Sequence, residues 1–103
     1  MRPPTLRPLG EFCIPDDHPS LPGHFPGRPV VPGVVLLDAA IALILARRPG
    51  RVVGIPSVKF TRQVAPGQLV QVSCGEGGGR IAFACTVDGR PALHGSVALG
   101  EAP

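Results

Sequence analysis

Residues 33–50 read GVVLLDAAIALILARRPG, and the reading of this stretch decides the fold. From Val34 to Ala46 there are thirteen residues, twelve apolar and one charged, and the Leu and Ala content favours helix over strand. Pro32 and Gly33 mark the start of this helix. Arg47-Arg48-Pro49-Gly50 marks its end, because cations suit the negative helix terminus and proline stops propagation. A helix apolar on all sides must be surrounded, so the rest of the chain is expected to wrap it.

Downstream, strand-like runs follow one another with turn punctuation and no further helix. Val52 to Val64 is the first, closed by Ala65-Pro66-Gly67. Gln68 to Cys74 places Val70, Val72 and Cys74 on one face, and the glycine-rich run Gly75 to Gly79 turns the chain. Arg80 to Asp88 alternates cleanly, with Ile81, Phe83, Cys85 and Val87 on one side and Ala82, Ala84 and Thr86 on the other. Asp88-Gly89 is a hairpin signal, and Pro91 to Leu99 completes the set. Leu9 to Ile14 supplies a further edge strand. This order predicts an α+β arrangement, an antiparallel β-sheet wrapped around one long central helix.

A chain of 103 residues with 44% apolar content supports one core, so residues 1–103 read as one domain, with residues 1–9 as a flexible N-terminal segment. A chain this small and this apolar also finishes its burial by pairing with another copy. Proline and glycine are abundant at 14 each, yet nine of the prolines fall at or before Pro32, which leaves the remainder free to form a core. The net charge of +3 is scattered and the aromatics amount to four Phe, which argues against nucleic acid. Cys13, Cys74 and Cys85 form no C-x-x-C pair and read as small buried residues of a reducing compartment. No apolar export segment or membrane span is evident, so a cytoplasmic protein is expected.

Two residues stand out against this background. Asp38 is a lone carboxylate in the apolar helix, where burial would raise its pKa and keep it neutral unless it reaches a backbone group near the helix start. His24 is presented between Pro22-Gly23 and Pro26-Gly27. The run from Pro29 to Gly33 then leads into a helix N-terminus whose free N–H groups can bind developing negative charge. A base, an acid and an oxyanion site thus fall within fifteen residues.

The run Gly23-His24-Phe25-Pro26-Gly27-Arg28-Pro29-Val30-Val31-Pro32-Gly33, continuing through Val34-Val35-Leu36-Leu37-Asp38, resembles the signature of the hotdog-fold 3-hydroxyacyl-acyl-carrier-protein dehydratases of bacterial fatty-acid synthesis. A second segment, Val58-Lys59-Phe60-Thr61-Arg62-Gln63-Val64-Ala65-Pro66-Gly67, is similar to the V-K-F-x-R-x-V-x-P-G segment of that family. The resemblance implies the hotdog fold and conversion of a 3-hydroxyacyl thioester to the trans-2-enoyl thioester. It implies His24 and Asp38 as catalytic residues, supplied to one site by different subunits of a dimer. Gly33 would polarise the thioester carbonyl through its backbone N–H, the Val30 carbonyl would orient the histidine, and Phe25 would line the substrate site. Arg28, Lys59 and Arg62 would attract an acidic acyl carrier protein bearing a phosphopantetheine-linked acyl chain. The resemblance implies no cofactor, no metal and no membrane partner.

There are departures from the pattern. Family members commonly carry Gln four residues after the carboxylate, where this chain has Ala42. The short front and the LLDAA segment look more like the small dehydratases of aryl-polyene or other specialised lipid pathways. The same scaffold also hosts acyl thioesterases and non-catalytic acyl-binding or heterodimer subunits, which are the alternatives. His18, beside Asp16 and Asp17, lacks further metal ligands at recognised spacing and reads as part of a solvated turn. His94, among small residues on the last strand, reads as structural.

Overall fold

The computed structural model describes residues 5–18 and 30–100. Its elements are β1 (Arg7–Phe12), α1 (Gly33–Arg47), β2 (Arg51–Phe60), β3 (Val70–Gly77), β4 (Arg80–Val87) and β5 (Arg90–Gly100). The strands form one antiparallel sheet in the order β1-β3-β4-β5-β2. Local chemistry sets the central part of that order. Gly78 and Gly79, and then Asp88 and Gly89, all have positive φ. Two such residues in succession make the mirror-image turn whose twist matches the strands it joins, so β3, β4 and β5 lie side by side as hairpins. Nine residues, 61–69, separate β2 from β3, and β2 lies at the far edge, where it pairs with β5 from Arg51 opposite Gly100 to Phe60 opposite Leu93.

One face of the sheet carries the core. Ile81, Phe83, Cys85 and Val87 alternate along β4, Val70 and Val72 come from β3, Leu93 and Val97 from β5, and all are buried. The helix meets them with Leu36, Ala40 and Ile44, one residue per turn. Each large side chain buried in this way contributes about 1.5–3 kcal/mol. Burial pushes the Cys85 thiol up to about 12, so it stays neutral and packs as a small apolar group.

Several expectations need correction. The helix is not surrounded within one chain: Val34 is 63% exposed, and Asp38, Ala42 and Ala46 are exposed with it at four-residue spacing along the opposite side. Gly75, Glu76 and Gly77 belong to β3, so the loop expected over Gly75 to Gly79 is a two-residue turn; each of these residues pairs across to β4. The strand β2 stops at Phe60 because the Thr61 and Arg62 N–H groups both turn to the Ala92 carbonyl. The strand β1 starts at Arg7, inside the segment expected to be flexible, since it finds β3 as a partner. Cys13 is exposed and Cys74 half-buried, so only Cys85 is the buried residue expected of all three.

Candidate active site

The site is built where α1 begins. Val31 donates its N–H to the Val64 carbonyl at 2.8 Å, which fastens the segment before the helix to the segment after β2. Pro32 occupies the N-cap and makes no side-chain capping bond, and no acidic residue lies in the first turn. The first intrahelical bonds come from the Val35 and Leu36 N–H groups, both directed to the Pro32 carbonyl. The N–H groups of Gly33 and Val34 therefore stay outside the intrahelical ladder, with no capping side chain among the described residues, and the helix dipole adds partial positive charge there.

Gly33, at this helix start, lines a cleft of about 590 Å³ together with Val30, Leu36, Phe60, Arg62 and Val64. Leu36 and Val64 are buried and form its apolar floor, while Arg62 is exposed at the mouth. Its volume suits a small organic ligand or the head of a longer chain. The arrangement can hold a carbonyl oxygen at the helix start with an acyl chain on the apolar side.

The structure brings Val30, Gly33 and Arg62 together around this cleft. Lys59 is exposed but absent from the lining; it pairs with His94 across the β2–β5 ladder, on the opposite face of the strand from its neighbour Phe60. Asp38 lies on α1 little more than a turn beyond Gly33 and is exposed to solvent in the single chain. His24, Phe25 and Arg28 lie outside the described residues.

One residue of the cleft has no mark in the sequence beyond its place in a V-K-F run. Phe60 packs its ring on Gly33: a Cβ built on that glycine would sit 2.8 Å from the ring Cε1 and 3.0 Å from Cζ. The contact joins residues 27 positions apart, and no local sequence pattern signals it.

Residues 6–96 match the family described as ApeI-like, the ApeI dehydratase. The chain belongs to the ApeI-like dehydratase family. The 3-hydroxyacyl-(acyl-carrier-protein) dehydratase FabZ of Acetivibrio thermocellus is 32% identical to it over 108 aligned positions, covering 91% of this chain and 74% of the relative. FabZ of Cereibacter sphaeroides is likewise 32% identical, over 92% of this chain and 68% of its own. In structure, the dehydratase is similar to the dehydratase heterocomplex ApeI:P from Xenorhabdus doucetiae, with a TM-score of 0.74 at 20% identity, over 95% of this chain and 98% of that one. The sheet with its single helix is thus the hotdog fold expected from the sequence, and the chain is an enzyme that dehydrates 3-hydroxyacyl thioesters.

Proposed function

We propose that this dehydratase acts on 3-hydroxyacyl groups carried by acyl carrier protein, in a site that two copies of the chain complete together. The observation that carries the reading is the uncapped start of α1 opening on an apolar cleft, with Asp38 exposed further along the same helix. His24 acts as the base and takes the proton from C2, made acidic by the adjacent thioester carbonyl. The Gly33 N–H stabilises the charge that collects on the carbonyl oxygen. The electron pair then forms the C2–C3 double bond as the C3 hydroxyl departs as water, with its proton supplied by Asp38. The Val30 carbonyl orients His24, and Phe25 adds to the wall of the acyl site.

One chain leaves Asp38 exposed, whereas a group that hands a proton to the leaving hydroxyl works best out of bulk water. A second copy seated on the exposed face of α1 would shield it. The edge strand β2 offers further apolar surface, where Val53, Ile55, Val58 and Phe60 are between 37% and 56% exposed. Each site then takes His24 from one protomer and Asp38 from the other. Residues 1–103 form one hotdog domain in this reading. Arg62 at the mouth, with Arg28 and the nearby Lys59, steers the acidic carrier. Among the described residues no helix is long and apolar enough to cross a membrane, which is compatible with a cytoplasmic enzyme.

A second reading is a subunit that needs a different hotdog chain as its partner. It is favoured by Ala42, which stands exposed one turn after Asp38 and offers the carboxylate no side-chain amide. The Xenorhabdus doucetiae relative, solved as a heterocomplex, supports asking the question. The test is to incubate the purified chain with a 3-hydroxyacyl thioester. Accumulation of the enoyl thioester is expected; release of free acid and thiol would mean a thioesterase, and no turnover until a second hotdog chain is added would mean the subunit reading.

A further inference from the structure

The contact between Phe60 and Gly33 has a consequence for which acyl groups fit. Three ring carbons, Cε1, Cζ and Cδ1, lie 2.8, 3.0 and 3.1 Å from the place a Gly33 Cβ would occupy. Ordinary carbon contacts are about 3.5–4.0 Å, so not even one methyl group fits between ring and helix start. The ring is held there. The Thr61 N–H bonds to the Ala92 carbonyl at 2.8 Å, the Thr61 hydroxyl donates to the Pro91 carbonyl at 3.2 Å, and Phe60 itself stands opposite the fully buried Leu93. Yet the side chain is 47% exposed and lines the cleft, so its free face meets whatever occupies that space.

From this we infer that Phe60 is a specificity-determining residue, which excludes acyl groups branched at C2. The inference rests on the reading that the Gly33 N–H binds the thioester carbonyl. The C2 carbon is two bonds from that oxygen, and Phe60 lines the same cleft as Gly33, with Leu36 and Val64 as further apolar lining for an acyl chain. A hydrogen on C2 clears the ring; a methyl there competes with it for the same volume. The C2 carbon must still carry one proton for water to be eliminated, so a 2-methyl-3-hydroxyacyl thioester is chemically competent and is refused on shape alone. A methyl-sized misfit in an apolar pocket is worth about 10- to 200-fold in kcat/KM.

The test compares 3-hydroxybutyryl and 2-methyl-3-hydroxybutyryl thioesters of N-acetylcysteamine, following enoyl formation by wild type, Phe60→Ala, Phe60→Leu and Phe60→Tyr. Phe60→Ala is expected to raise the branched-to-unbranched ratio of kcat/KM by at least about tenfold. Phe60→Leu, which keeps apolar bulk and guards against a folding failure of the alanine variant, is expected to raise it by less, and Phe60→Tyr to leave it unchanged. The ratio isolates shape, because a general loss of activity cancels from it. An unchanged ratio in both smaller variants, with the unbranched substrate still turned over, overturns the inference and leaves the dehydratase reading intact. No enoyl product from wild type on either substrate, alone or mixed with a second hotdog chain, overturns both.

Discussion

Replacing Ile55 by lysine tests the two-copy site directly. Ile55 lies on β2, an edge of the sheet, is 42% exposed and does not belong to the core. Complete burial of an isoleucine stabilises by about 1.5–3 kcal/mol, so the part left exposed is worth roughly 0.6–1.3 kcal/mol when a partner covers it. A two-fold interface uses the same patch twice, which doubles the figure to about 1.2–2.6 kcal/mol. Lysine removes that gain and brings two ammonium groups to the interface, where each costs further free energy unless its flexible stem carries it back to water. A total near 3 kcal/mol weakens dimerisation by roughly 150-fold. Sedimentation velocity over a dilution series measures the constant, and enoyl formation per protomer over the same series measures whether the site follows it. Specific activity of the variant should climb with protein concentration while that of wild type stays flat. A variant that is monomeric and fully active would refute the shared site; one that dimerises like wild type would refute the assignment of the β2 edge.

Mixing two inactive variants, His24→Ala and Asp38→Asn, should restore about one quarter of wild-type turnover after subunit exchange, since half the dimers are mixed and each mixed dimer holds one intact site; no recovery would place both residues in one chain's site. Gly95→Ala should lower stability by about 1–3 kcal/mol and the melting temperature by on the order of 10 °C, because the added Cβ would meet the Ser57 carbonyl oxygen and lie 2.9 Å from Val58 Cα, both backbone atoms of β2. An unchanged melting temperature would show that β2 can shift freely. Above pH 9 the unfolded chain releases the Cys85 proton while the folded chain, with that thiol raised from 9.0 to about 12, keeps it, so stability should fall by up to about 1.4 kcal/mol per pH unit toward pH 12. Denaturant midpoints measured from pH 8 to pH 11 check this, and Cys85→Ala should flatten the slope.

The fold was legible where one physical rule governed a segment. Alternation along β4 named Ile81, Phe83, Cys85 and Val87 as one buried face, and all four are buried. Asp88-Gly89 marked a hairpin because little else tolerates two positive φ values in succession. Legibility failed where the outcome turned on a partner elsewhere in the chain. The glycines at 75 and 77 suggested a loop, yet pairing opposite Ala82 and Arg80 holds them in a strand. Cys13 and Cys85 look alike in composition, and only the second sits on a buried position of the alternating pattern. The site divided in the same manner: Gly33 could be placed from the helix start, whereas Phe60 acts through a contact across 27 residues of chain that no local pattern encodes.

The exposed face of α1 is where the sequence and the structure meet on function. A helix with twelve apolar residues among thirteen has more apolar surface than one sheet face can cover, and the sheet covers the Leu36, Ala40 and Ile44 stripe. What is left over is Val34, Asp38, Ala42 and Ala46, three apolar residues around one carboxylate. If that face were meant for water, its apolar residues would gain nothing by being there, and polar ones would serve the helix equally well. If it is meant for a partner, they bury with it and Asp38 is drawn into the same dry contact. The excess hydrophobicity of the helix and the acid required for elimination are then one feature. On the proposed reading, assembly brings the proton donor to a cleft that a lone protomer already holds.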